Sequence, residues 1–261
     1  MNPQLLGNEP NIDLWTFIES DADAAYLQEI KSSGAKVELD SKLEISPMSN
    51  IGDFNADTLQ WIIDNKSTCE EHFFEDDHWH SNVYSKQQRL PGTVGFSRGN
   101  TLEYLWGGNR ENSDALKELY GKDAFKTAGL DYDSTECKLL VYMPGNVCCL
   151  HLDMYQNWSD KHSHLNPHIT HHPELERMVS EDRENRWLVA ANNTCDRGRI
   201  VRRNIMVSEW HWGHIIQLES TIFPRWKAGD VFDIPACIYH LSANIGVTLK
   251  MTLICTGAEL G

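Results

Sequence analysis

His151-Leu152-Asp153 closes the apolar, β-branched run KLLVYMPGNVCCLHLDMY, residues 138–155. Side chains alternate faces along a strand, so His151 and Asp153 project together and Leu152 projects opposite. An imidazole beside a carboxylate at a strand end is two thirds of a non-haem iron site. Such a site takes a second histidine from elsewhere and keeps positions open on the metal. The bland alternative is a pair of surface polar residues, and an isolated HxD does not separate the two.

Other residues compete for the remaining roles. His240 opens the β-rich run YHLSA, and Lys250 follows ten positions later inside the apolar segment VTLKMTLICT. A buried ammonium is costly without an anionic partner, so Lys250 either faces solvent or grips an anion. Thr248, Lys250 and Thr252 share a strand face, pairing a cation with hydroxyls suited to a carboxylate. His211 and His214 in EWHWGH are rivals to His240, but the positions ten residues after them are Thr221 and Pro224. His78 and His80, beside Asp76 and Asp77, read as a polar loop or a substrate-side wall.

The elements that must position these residues divide the chain in two. Residues 1–135 read as mostly helical and irregular, with amphipathic segments at 21–33, 56–66 and 113–120, a loop at 69–84 and a short strand at 93–98. From 136 to 256, short β runs separated by turn residues (138–143, 147–153, 186–193, 199–207, 214–220, 231–235, 239–243 and 247–256) predict a sandwich, jelly roll or barrel. A polar insertion at 156–185 carries His162, His164, His168, His171 and His172. It reads as a lid over the substrate or as a plain surface excursion. No repeat or low-complexity linker splits the chain, so a single catalytic domain spanning 1–261 is expected.

Composition narrows the partners. A net charge of −15 over 261 residues argues against a groove that tracks nucleic-acid phosphates and suits a small neutral or cationic molecule. Seven scattered cysteines without CxxC spacing read as reduced thiols in the cytoplasm. The N-terminus lacks a signal-peptide pattern, and no run is long and apolar enough for a membrane span.

Taken jointly, His151-Leu152-Asp153, His240, Lys250 and Thr252 resemble the iron(II)- and 2-oxoglutarate-dependent oxygenases. Tyr142 and Gly145, nine and six residues before His151, together with the lysine, are similar to the prolyl 4-hydroxylase branch. The run Trp226-Lys227-Ala228-Gly229-Asp230 is also familiar from the family. The resemblance covers roughly residues 138–256. The gap from His151 to His240 is longer than usual, and the N-terminal half resembles nothing known.

The resemblance implies a mainly β fold with helical additions around a double-stranded β-helix, a jelly-roll or cupin-like core. It implies Fe(II) on His151, Asp153 and His240, with 2-oxoglutarate as cosubstrate, its distal carboxylate on Lys250 and hydrogen-bonded by Tyr142 or Thr252. O2 is the oxidant, succinate and CO2 are released, and an unactivated C–H of a small amino-acid-like substrate is hydroxylated. Halogenating relatives carry a small residue where Asp153 stands, so hydroxylation is implied. Alternatives are hydroxylation of a protein side chain, or a non-catalytic cupin-like metal- or ligand-binding protein. Arg202 and Arg203 alternate faces, so at most one points inward toward a substrate.

Overall fold

Near-continuous apolar runs give the central strands β-forming segments with two faces to bury, and the fold has a partner for each. A computed structural model describes residues 47–52, 55–74, 101–107, 110–144, 146–151, 153, 155–169, 192–218, 221–236 and 238–261. The segments expected at 21–33 and 93–98, His78, His80, Gly145, and the later part of the insertion with His171 and His172 lie outside those residues. So does most of the expected strand at 186–193.

In chain order the strands are β1 (Ser49–Asn50), β2 (Glu70–Phe74), β3 (Thr101–Gly107), β4 (Glu136–Tyr142), β5 (Val147–His151) and β6 (Thr194–Cys195). They continue with β7 (Gly198–Met206), β8 (His214–Leu218), β9 (Thr221–Phe223), β10 (Asp230–Asp233), β11 (His240–Asn244) and β12 (Lys250–Ala258). Helices α1 (Asn55–Asp64), α2 (Arg110–Thr127) and α3 (Gln156–Lys161) are interspersed. All pairings are antiparallel. The larger sheet runs β1-β10-β7-β12-β4-β3-β2, with β6 on β7, and the smaller runs β5-β11-β8-β9.

On one face of the large sheet, Leu139, Val141, Met251, Leu253 and Cys255 pack with Ile62 of α1 and Leu116 and Phe125 of α2. The other face meets the small sheet. Leu140 and Tyr142 of β4 pack with Cys148 of β5, and Met206 and Phe232 pack with Ile216, Leu218, Phe223 and Trp226. Burial on both faces explains the near-continuous apolar reading of β4 and β12. Lys250, Thr252, Ile254 and Thr256 share the parity that faces the small sheet, so a cation and two hydroxyls lie in the inter-sheet space.

The expected helix at 113–120 is present within α2, which breaks at Gly121 (φ 76°). Among the described residues before 136, α1 and α2 lie where helices were expected, and the difference is confined to strand segments. Glu70–Phe74, within the segment expected to be a loop, is a strand paired with β3, and β3 extends the large sheet from the edge of β4. Five residues of mixed polarity carry little local signal, and the neighbour's open edge decides. Among the described residues no helix is long and apolar enough to cross a membrane. Cys69, Cys137, Cys148, Cys195 and Cys255 are free thiols.

Candidate functional site

The inter-sheet space has two ends, and the predicted residues divide between them. At one end β5 and β11 pair so that His151 stands directly across from His240, after an irregularity between His240 and Ser242 that shifts the register by one. Irregularities of this kind recur beside functional sites because they re-aim a side chain. Asp153 lies just beyond β5, and its Oδ2 is 3.2 Å from His240 Nε2.

The protonation state of His240 gives this contact its meaning. Burial holds its pKa down to about 4; the Ile238 carbonyl opposes this and nearby Arg202 reinforces it. The ring is therefore neutral near pH 7. Nδ1 lies 3.1 Å from the Ile238 carbonyl oxygen, which accepts the one ring proton and leaves a lone pair on Nε2. Nε2 and Asp153 Oδ2 thus lie side by side at the strand end, and Oδ2 also accepts from Arg202. Among the described residues no group of three His, Cys, Asp or Glu side chains is arranged to hold a metal.

A cation does reach Asp153 from the protein itself. Arg202 Nη1 hydrogen-bonds Oδ2, its Nε donates to Thr256 Oγ1 at 3.2 Å, and its guanidinium carbon lies 5.0 Å from the centre of the Tyr155 ring. Burial lowers the Arg202 pKa to about 10, with Glu136 opposing, so it stays charged at neutral pH. Arg203 projects to the opposite face, where it pairs with Asp233 and Glu259. The alternation expected of this pair is what the fold contains.

At the other end, Lys250 is fully buried and stands directly across from Tyr142. Its Nζ donates to Ser242 Oγ of β11 and sits 4.4 Å from the centre of the Tyr142 ring. Lys250 therefore points inward and reaches across to the small sheet. Thr252, one step along the same face, is 2% exposed and its Oγ1 has no hydrogen-bond partner. A buried hydroxyl without a partner marks a position that a ligand acceptor or a water fills. Ser242 is two residues from His240 on one strand, roughly 7 Å away.

His214, a rival ligand, pairs with Asn244 at the far end of β11 from His240, about 13 Å along the strand. Its Nδ1 accepts the His211 backbone N–H at 3.3 Å, and its Nε2 lies 3.2 Å from the Thr248 carbonyl oxygen. Burial drives its pKa down to about 3. With both ring nitrogens engaged, His214 is a satisfied core histidine.

The start of the insertion is docked. Tyr155 donates to the Ile234 carbonyl at 2.8 Å, Trp158 Nε1 to the Ser134 carbonyl at 3.1 Å, and His168 exchanges backbone hydrogen bonds with Thr194. Sequence reasoning did not find Ser242 or Glu136, because single polar residues in strands carry no local signature of what faces them.

No protein-family model and no curated protein matches the chain. Among solved structures, similarity extends to a Pseudomonas putida prolyl-4-hydroxylase (13% identity, 77% of this chain and 98% of that one, TM-score 0.30). A Burkholderia pseudomallei oxidoreductase described as of the 2OG-Fe(II) oxygenase family gives 11% identity over 83% of this chain and 98% of that one, with TM-score 0.30. TT1209 from Thermus thermophilus gives 9% over 48% and 72%, with TM-score 0.27. At these values none of the three fixes a fold family or a function for this chain.

Proposed function

We propose that the protein is an iron(II)- and 2-oxoglutarate-dependent oxygenase of jelly-roll fold that hydroxylates a small amino-acid-like substrate. The observation that carries this reading is the shared inter-sheet space. It has the acceptor pair His240–Asp153 at one end and buried Lys250 at the other. Through Ser242 the two are separated by a distance comparable to the length of a five-carbon diacid. The strand succession supports the fold: from β4 to β12 the chain crosses between the sheets, except at the β6–β7 and β8–β9 hairpins, giving β4-β12-β7-β10 against β5-β11-β8-β9.

On this reading His151, Asp153 and His240 would hold ferrous iron, a two-histidine, one-carboxylate set of the kind that metal takes. Iron with 2-oxoglutarate and O2 supplies the oxidation, in which one oxygen atom enters the substrate C–H and the other enters succinate as CO2 leaves. The protein's own residues provide the geometry. Ile238 fixes the His240 tautomer, and Arg202 orients the Asp153 carboxylate. Lys250, Thr252 and Tyr142 bind the distal carboxylate of the cosubstrate in a space kept dry by the cluster around Met206, Leu218 and Trp226.

Anaerobic addition of Fe(II) and 2-oxoglutarate should produce the weak visible charge-transfer band of the chelate, and admission of oxygen should release succinate. Asp153→Ala should lose both. Absence of the band and of succinate in the unaltered protein would refute the oxygenase reading, and metal binding without turnover would favour a cupin-like binding protein.

A further inference from the structure

Beside Asp153, at the rim of the inter-sheet space, three residues line up across the large sheet. Glu136 pairs with Thr256, and Thr256 pairs with Arg202. They border a cleft of about 200 Å³ that Lys138, Asp153, Tyr155 and Trp158 also line. Glu136 is the unusual member. Its side chain is only 10% exposed; Oε1 accepts from Lys161 Nζ at 2.9 Å, with Lys138 Nζ at 3.9 Å. Oε2 is buried and has no hydrogen-bond partner. A carboxylate oxygen buried without a donor is destabilising, so this atom marks a place for one. Tyr155 and Trp158 supply aromatic walls to the cleft, Arg202 lying over the Tyr155 ring and His162 stacking on Trp158.

We infer that Glu136 is a substrate anchor that binds the ammonium group of a small amine-bearing ligand, holding its C–H beside Asp153. This rests on the oxygenase reading above and assigns it a substrate class. Two strand spacings, about 10 Å, separate Glu136 from Arg202, which hydrogen-bonds Asp153, so a ligand held at Glu136 extends along the cleft toward Asp153. The small volume admits the amine end of a metabolite and excludes a folded protein surface. The acidic balance of the chain favours the encounter with a cation.

Glu136 also lines a second hollow of about 620 Å³ together with Lys117 and His162. The test must therefore report where the ligand sits as well as whether it binds. The probes are the twenty free amino acids, screened as a pool and then singly, and their N-acetyl derivatives, which lack the ammonium. Binding is read by calorimetry on the 2-oxoglutarate-loaded protein, with and without Mn(II), and turnover by succinate release with Fe(II). Mn(II)-induced broadening of the ligand's proton resonances reports proximity to the metal.

At least one free amino acid should bind, stimulate succinate release and be broadened, while its N-acetyl form binds at least tenfold more weakly. Glu136→Gln should abolish that tenfold preference. Lys161→Met removes the cation that competes for the carboxylate and should tighten amine binding roughly threefold, a gain that misfolding cannot produce. The proposal is overturned if Glu136→Gln keeps the preference, if N-acetyl forms bind equally well, if the bound amine is not broadened, or if no amino acid binds. A chelate band with substrate-free succinate release but no amine binding would sink the anchor and leave the oxygenase standing. Amine binding that depends on Glu136, without any band, would do the reverse.

Discussion

Replacing Lys250 with methionine separates the cosubstrate anchor from a merely structural lysine, because the two roles predict opposite signs. The side chain is fully buried, and its head group contacts Ser242 Oγ and the Tyr142 ring. Methionine keeps most of the apolar stem and removes the charge. Exchanging a buried charge for an apolar group of similar shape is often neutral or stabilising, so the melting temperature without ligand should hold or rise. Binding of 2-oxoglutarate should suffer instead. A charge-assisted hydrogen bond to a carboxylate contributes about 1.5–3 kcal/mol, and leaving that carboxylate buried without its cation raises the loss toward 3–5 kcal/mol. The dissociation constant should therefore rise by roughly one hundred- to several thousandfold. Anaerobic titration of the visible chelate band measures it directly, and calorimetry with Mn(II) gives a redox-silent check. Binding within threefold of the unaltered protein, or a collapse of stability with unchanged binding, would refute the assignment of Lys250.

Two further outcomes test the framework around the site. His214 has its pKa pushed below the ordinary value to about 3 by burial. The unfolded chain then takes up the proton first, and stability should be complete above about pH 6.5 and fall progressively toward pH 3. His214→Phe should reduce that slope in denaturant titrations run at several pH values, most clearly between about pH 4 and pH 3, below the range in which His240 contributes, and an unchanged slope would mean that the ring is not held neutral. Gly229 has φ +84°, and a Cβ there would lie 2.1 Å from the Gly52 carbonyl oxygen. Gly229→Ala should destabilise the protein by about 2–3 kcal/mol, read as a lowered denaturant midpoint.

Legibility in the sequence followed the range of each interaction. The apolar runs of β4 and β12 are local, so those strands, and the shared face of Lys250 and Thr252, could be read from spacing, whereas the choice of the inward side for that face depends on the second sheet. The same parity separated Arg202 from Arg203. Strand β2 could not be read, because its partner β3 supplies the edge that makes five mixed residues extended. The importance of Ser242 depends on a lysine eight residues away across a sheet-to-sheet gap, and that of Glu136 on a helix lysine that pairs with one of its oxygens and not the other. His211 and His214 looked like ligands because composition does not say which ring nitrogens are already engaged. The backbone around them does: His211 N–H and the Thr248 carbonyl occupy both nitrogens of His214.

The position of β12 has a consequence for how the molecule forms. It is the last of the described strands in sequence, yet it lies in the interior of the large sheet, between β7 and β4. Until it inserts, two strands more than fifty residues apart expose unpaired edges toward each other, and the lysine that faces the small sheet is missing. Pairings of such long sequence separation close slowly. Refolding should therefore pass through a phase in which the open edges are the vulnerable surface. In such a phase the acceptor pair at β5 and β11 can assemble before the space that serves it is sealed.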